Sequence, residues 1–188
     1  MKYEVEQKYP VDGFGAVEAK LVELGATVSA PHEELDLYVN HPVRDFAETD
    51  EALRIRRKGG KTLITYKGPK IDTTTKTRRE IELPLGEQPE TPDQWRELLE
   101  VLSFVAVAEV RKARRKADVA WDGQTVTLTL DDVHDVGTFV ELEIESDEEG
   151  VERAKSQLAA LADELGLGDS ERRSYLELLL EGQGRAAE

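Results

Sequence analysis

The sequence predicts an α+β domain framed by an antiparallel sheet. Three observations carry this prediction. Eight or nine segments alternate apolar and polar residues, glycine-containing turns join several of them, and only a few stretches show helical periodicity. No internal repeat, low-complexity tract or long linker divides the chain. Its 188 residues therefore read as one domain, residues 1–188, long enough to bury a core without disulfide or metal staples.

Each element has its own signal. Residues 2–9 place Tyr3 and Val5 on one side and Glu4, Glu6 and Lys8 on the other, as a strand does. Residues 13–25 carry Phe14, Val17, Leu21 and Leu24 at helical spacing, with Gly25 as the stop. A short strand runs from Leu35 to Asn40, before a His41-Pro42 turn. Ala52–Lys58 and Lys61–Lys67 form a hairpin across Gly59-Gly60. Thr75–Leu85 is a further strand, ended by Pro84 and Gly86. Thr91–Ser103 reads as a helix, with Thr91 as N-cap and Pro92 in the first position. Strands Phe104–Lys116 and Val119–Trp121 follow, and Asp122-Gly123 turns into Gln124–Asp132. Gly137–Ser146 is the last strand. Two helices close the chain, about Glu149–Leu165 and Ser170–Gly182, divided by Gly166 and Gly168.

Composition excludes several classes of function. There is no cysteine, so disulfides, thiolate metal sites and cysteine nucleophiles are absent. Three histidines make a zinc site of several imidazoles a poor fit. No apolar run approaches the ~20 residues of a membrane helix, and the start Met1-Lys2-Tyr3-Glu4 has no signal-peptide character. The expectation is a cytoplasmic protein with no membrane partner. Lys and Arg number 25 and Asp and Glu 40, a net charge of −15, so a nucleic-acid partner is not expected.

The charge is segregated. Between Arg54 and Arg79 stand ten basic residues and one acid, Asp72. Between Glu141 and Glu152 stand seven acids and no base. Strand alternation then gives many strands one charged face: Glu4, Glu6 and Lys8; Arg54 and Arg56; Arg78, Glu80 and Glu82; Lys112 and Arg114; Glu141 and Glu143. Asp131 aligns with Thr127 and Thr129, and Lys67 ends its strand. Two architectures fit this pattern. One is a sheet with helices on one face and water on the other. The other is a closed sheet with the charges inside and the apolar residues outside under the helices. Clustering of bases on some strands and acids on the first and last favours the lumen, since a solubility surface intersperses its signs. The Arg111–Lys116 cluster fits a lumen strand better than an RNA site. His32, His41 and His134 read as turn or surface residues, and Trp95 and Trp121 as packing residues.

These blocks carry a resemblance. Glu4-Val5-Glu6-Gln7-Lys8 resembles the E-x-E-x-K motif that opens the CYTH family, the triphosphate tunnel metalloenzymes. Further blocks follow in the family's order. They are Asp36-Leu37-Tyr38, Ala52-Leu53-Arg54-Ile55-Arg56, Thr65-Tyr66-Lys67-Gly68, Arg78-Arg79-Glu80-Ile81-Glu82, Lys112-Ala113-Arg114, Leu130-Asp131-Asp132-Val133 and Gly137 to Glu143. Ser174-Tyr175-Leu176-Glu177-Leu178-Leu179 resembles the family's closing helix. The stretch Asn40 to Arg54 is similar to the class IV adenylyl cyclase branch.

The resemblance implies an eight-stranded antiparallel barrel, with helices packed outside, forming a tunnel. It implies a nucleoside or inorganic triphosphate substrate, Mg²⁺ or Mn²⁺ as cofactor, and a monomer or homodimer. By motif position, Glu4, Glu6, Asp131, Glu141 and Glu143 would hold the metal, as hard cations prefer carboxylate oxygens. Arg54, Arg56, Lys67, Arg78, Lys112 and Arg114 would grip phosphate. Glu80 and Glu82 would either support the metal carboxylates or, the preferred reading, orient the arginines through salt bridges. Lys8 and Tyr38 stand where some triphosphatase relatives place a lysine and a tyrosine near the attacking water, so both are candidate catalytic residues. Arg172 or Arg173 is a further basic candidate. An adenylyl cyclase making cyclic AMP and pyrophosphate from ATP is the leading expectation. An inorganic or thiamine triphosphatase is the alternative. A non-catalytic binder of polyphosphate or nucleotide, and a purely structural acidic domain, are the remaining classes.

Overall fold

The computed structural model describes residues 3–71 and 77–184 of the chain. Its strands are β1 (Tyr3–Pro10), β2 (His32–Asn40), β3 (Ala52–Lys58), β4 (Lys61–Lys67), β5 (Glu80–Gly86), β6 (Val105–Trp121), β7 (Gln124–Val133) and β8 (Gly137–Ser146). Its helices are α1 (Gly15–Glu23), α2 (Thr91–Val101), α3 (Val151–Glu164) and α4 (Tyr175–Gly182). All eight strands form one antiparallel sheet in the order β1-β8-β7-β6-β2-β3-β4-β5. The sheet curls into a half-barrel. Its edges are β1 and β5, and among the described residues one isolated bridge crosses the seam between them, from Glu4 to Arg78, two residues before β5. Side chains span the rest of the seam: Lys67 Nζ lies 3.1 Å from Glu4 and 2.6 Å from Glu80. Pro84 suits this edge position, because it has no N–H to offer a neighbouring strand.

Curling sorts the two faces by alternation. The apolar core lies outside the sheet wall, under the helices. Val5, Val126, Leu128, Leu142 and Ile144 pack there with Leu21 of α1 and with Leu158 and Leu161 of α3. Each such buried side chain contributes about 1.5–3 kcal/mol. Leu99 and Trp95 of α2 cover Val39 and Ile55. Helix α4 is the exception: its Tyr175 and Leu179 pack with Tyr38, Val110, Val133 and Phe139 at one end of the inner face. Trp121 packs against the first of these clusters, so both tryptophans serve packing, as expected. The inner face is charged, which selects the lumen from the two architectures that the pattern allowed.

Several element boundaries depart from expectation, and β2 for one begins at His32 rather than Leu35. The two strands Phe104–Lys116 and Val119–Trp121 are one 17-residue strand. The alternation continues through the join, with Ala117 and Val119 buried and Asp118 exposed between them, and Ala117 pairs with Leu128. The strand after Gly68 is regular only from Glu80, and Thr75 and Lys76 lie outside the described residues. The N-cap position of α2 is Glu90, not Thr91: the Glu90 carbonyl accepts the first helical bond, from the Gln94 amide, and its side chain makes no cap. Helix α4 starts at Tyr175 rather than Ser170. Ser174 caps it, accepting from the Glu177 amide while the Glu177 carboxylate accepts from the Ser174 amide.

Candidate active site

Strand register sets the order of groups along the inner face. On β3 the inward residues run Ala52, Arg54, Arg56, Lys58. Tyr38 of β2 lies opposite Arg54 and beside Ala108 of β6. Glu34 lies opposite Lys58 on one side and Lys112 on the other. One end of the inner face is therefore largely apolar, and the far end of these three strands is basic. Across the lumen, Glu6 pairs in register with Glu143, and Glu143 with Thr127.

These faces enclose a cavity of about 580 Å³. Arg54, Arg56, Lys67, Arg78, Lys112 and Arg114, all expected to bind phosphate, line it. So do Glu4, Glu6, Glu141 and Glu143 of the expected metal set, and Tyr38. Phe46, Ala52, Val107, Leu176 and Leu180 add apolar surface to the lining. Within the 111–116 cluster, Lys112, Arg114 and Lys116 face the cavity. Arg115 turns outward instead, to Glu18 and the Phe14 ring.

The basic wall is held from behind. Arg56 makes a bidentate pair with Asp36, both contacts 2.7 Å. Arg54 Nη1 donates to the Tyr38 hydroxyl at 3.3 Å and lies 3.5 Å from Asp36. Arg54 Nε is buried and has no hydrogen-bond partner among the described residues, an orphan donor on a cavity-lining cation. Lys112 Nζ sits 3.1 Å from Glu34 and 3.4 Å from Asp36. Arg78 donates to the Gly68 carbonyl.

Arg114 donates from Nε to Asp131 at 2.6 Å and from Nη2 to both Asp131 and Glu141. The Tyr175 hydroxyl also donates to Asp131, at 2.8 Å.

The acidic wall is less compensated. Burial, then the negative charges of Glu4 and Glu6, push the Glu143 carboxyl up to about 8. Burial also raises Glu4, against the opposing pull of Lys67. Among the described residues no three His, Asp or Glu side chains are already gathered to chelate an ion. The donor set nevertheless suits one. These are hard oxygen ligands, crowded and desolvated, whose mutual repulsion a divalent cation would relieve.

Two expected site residues stand elsewhere. Asp131 does not line the cavity: it is fully buried, and Arg114 and Tyr175 occupy its oxygens. Its direct register opposite Arg114 explains this engagement. Lys8 is also fully buried: it shares the inner face of β1 with Glu4 and Glu6 but lies beneath α4, where its ammonium donates to the Arg173 carbonyl and sits 4.1 Å from the Tyr175 ring centre. It ties β1 to the segment that leads into α4. Glu80 and Glu82 were expected to pair with arginines. Glu80 pairs with Lys67, and Glu82 accepts from Thr65. Arg173 forms surface pairs with Glu171 and Glu181. Sequence reasoning missed Glu34 and Tyr175 as site-supporting groups. The signal for Glu34 was present, since it shares a strand face with Asp36 and Tyr38.

Comparison with known proteins agrees with this geometry. A CYTH-domain family model matches residues 2–175. A Methanocaldococcus jannaschii protein named "Putative adenylate cyclase MJ0240" is 36% identical over 178 residues, 93% of this chain and 97% of that protein. The solved structure of the Pyrococcus horikoshii protein PH1819 is 42% identical, with a TM-score of 0.82 over 95% of this chain and 98% of that one. The Hippeastrum protein HpAC1, whose structure is described as revealing a dominant triphosphatase activity, is 21% identical. Its TM-score is 0.66 over 97% of this chain and 96% of that one, a likeness of fold.

Proposed function

Because the chain belongs to the CYTH family, we propose that it is a divalent-cation-dependent adenylyl cyclase of the class IV type, converting ATP to cyclic AMP and pyrophosphate. The observation that carries this reading is the two-sided cavity. One wall supplies Arg54, Arg56, Lys67, Arg78, Lys112 and Arg114 to phosphate oxygens, and the orphan Nε of Arg54 is a donor ready for one of them. The other wall supplies Glu4, Glu6, Glu141 and Glu143 to Mg²⁺ or Mn²⁺. When bound, the cation neutralises triphosphate charge as it builds on the leaving pyrophosphate.

Phosphoryl chemistry needs positioning and charge neutralisation more than covalent help, and that is what these side chains offer. The arginine forks fix oxygens in place, and Lys67 and Lys112 add point charge. The apolar lining from Phe46, Ala52, Val107, Leu176 and Leu180 suits a nucleoside, whereas inorganic tripolyphosphate would leave it unused. With the triphosphate held along the basic wall, the ribose 3′-hydroxyl attacks the α-phosphorus and pyrophosphate leaves. In this reading Lys8 and Asp131 act through what they hold: Lys8 the entry to α4, and Asp131 the Arg114 fork.

The test is to incubate the purified protein with ATP, thiamine triphosphate and tripolyphosphate, separately, with Mg²⁺ and with Mn²⁺. Products are separated by chromatography. Cyclic AMP with equimolar pyrophosphate is the expected result. Orthophosphate without cyclic AMP would replace the cyclase reading by a triphosphatase. Binding of the triphosphates without any product would leave a non-catalytic binder.

A further inference from the structure

The basic wall contains its own counter-ions, and they face no solvent. Glu34 and Asp36 are 0% and 1% exposed and are absent from the cavity lining. Strand β2 lies between β3 and β6 in the sheet, so both carboxylates sit between the two cationic strands. Glu34 is within 4 Å of Arg56, Lys58, Lys112 and Arg114. Asp36 contacts Arg54, Arg56 and Lys112. Two acids thus serve five Lys and Arg side chains, and His32 Nε2 also lies 3.1 Å from Glu34. A metal role does not fit them, because a cation would be repelled by those five. A role in touching substrate does not fit either, because the basic side chains cover them.

The coupling runs in both directions. Burial alone would raise both carboxyls, yet Lys112 and its neighbouring arginines hold them below the usual range. Lys112 shows the reverse strain. Complete burial pushes its ammonium down to about 8, Arg114 and Arg56 push the same way, and Asp36 and Glu34 oppose the fall. The Tyr175 ring is the group facing it from α4, 5.6 Å away. Without the two acids, these buried cations would stand desolvated and mutually repelling.

We propose that Glu34 and Asp36 are positioning residues of the phosphate-binding wall, a covered carboxylate pair that aims the Arg54 and Arg56 forks and keeps Lys112 cationic for the triphosphate. The proposal rests on reading the cavity as a triphosphate site. It adds that the wall is organised before substrate arrives, so that little reorientation is needed on binding.

The experiment measures two things on the whole chain: wild type, Asp36→Asn, Glu34→Gln, and Lys112→Arg to assign the resonance. The first is the titration midpoint of the Lys112 side chain, by nuclear magnetic resonance of labelled lysine. It is expected near pH 8 in wild type and about one unit lower in each acid variant, since an opposite charge within ~4–6 Å is worth that much. An unchanged midpoint in a folded variant overturns the proposal. The second is binding of tripolyphosphate, without divalent cation, from pH 6 to 9. Wild-type affinity is expected to fall above pH 8, and that of the variants from about pH 7, on top of a severalfold weakening already present at pH 6 where the forks have lost their aim. Uniform weakening at every pH, with no shift of the limb, also overturns it, as that is what a loosened fold would give. If wild type binds no tripolyphosphate, the triphosphate reading fails while the Lys112 midpoints still decide whether the pair holds its charge. Should Asp36→Asn not fold, Glu34→Gln supplies the same comparison from the other acid.

Discussion

The two walls of the cavity solve opposite problems. On the basic wall every cation near β2 has an acid behind it: Asp36 for Arg54, Asp36 and Glu34 for Arg56 and Lys112, Asp131 for Arg114. On the acidic wall, Glu4, Glu6 and Glu143 crowd together, with Lys67 the main opposing charge on Glu4, and the repulsion shows in the raised Glu143 carboxyl. The first wall is complete as it stands and suits an anion. The second would be eased by a cation supplied from outside. Charges that look alike in a strand pattern therefore differ in energetic role, and the difference lies in what stands behind them.

The sharpest way to break the comparison is Glu143→Gln. Removing a carboxylate from the crowded wall is expected to cut kcat by roughly a hundredfold or more, if this wall holds the cation. Stability should not fall, because a like-charge repulsion is relieved. The rise in Tm that Mg²⁺ or Mn²⁺ gives the wild type should shrink in the variant, as ligand binding stabilises only the form that binds. Steady-state kinetics and thermal denaturation with and without cation check both halves. A Tm loss of many degrees with activity preserved would reverse the roles given to the two walls.

Arg56→Ala is the counterpart on the basic wall. It leaves buried Asp36 without its bidentate partner and Glu34 without one of its cations, and breaking a buried pair from one side costs about 3–5 kcal/mol. For a chain of 188 residues that is a Tm drop of roughly 6–20 °C. Calorimetry of the free protein measures it. A shift of a degree or two would mean that the pair is relaxed by water and is no built counter-ion device.

How much of this was legible in the sequence follows from what alternation can say. It placed Arg54 with Arg56, and Glu141 with Glu143, on one face, because period two is a local property. It could not say that the charged face is the inside, since an open sheet gives the same string. Curling depends on side-chain contacts across the seam, such as Lys67 with Glu4, 63 residues apart. Asp131 shows the other limit. Its motif position marked it as a metal carboxylate, but register opposite Arg114 and the arrival of Tyr175 from α4 decide its partners. Glu34 was overlooked because the strand was expected to begin at Leu35, which left Glu34 off a face that it shares with Asp36 and Tyr38.

A smaller effect sharpens the picture of the basic wall. Arg54→Ala removes the cation with the orphan Nε and is expected to raise KM for the triphosphate about tenfold, equivalent to ~1.4 kcal/mol, with kcat less affected. An unchanged KM would place Arg54 outside the phosphate grip, whatever its position on the cavity wall.

The mildest change tests how α4 is joined to that wall. The Tyr175 hydroxyl donates to Asp131, which in turn holds the Arg114 fork. Tyr175→Phe keeps the ring packed against Phe139 and near the Lys8 ammonium but deletes this one bond. Asp131 retains Arg114, so it is not left bare, and the cost should stay near 1 kcal/mol, a Tm shift of roughly 2–4 °C. The kinetic readout separates anchoring from chemistry. If Tyr175 only docks the helix, kcat and KM stay within about twofold of wild type after correction for the folded fraction. If Tyr175 sets the Arg114 fork through Asp131, KM rises while the Tm shift remains small, and Arg114→Lys should then mask the effect of Tyr175→Phe in the double variant.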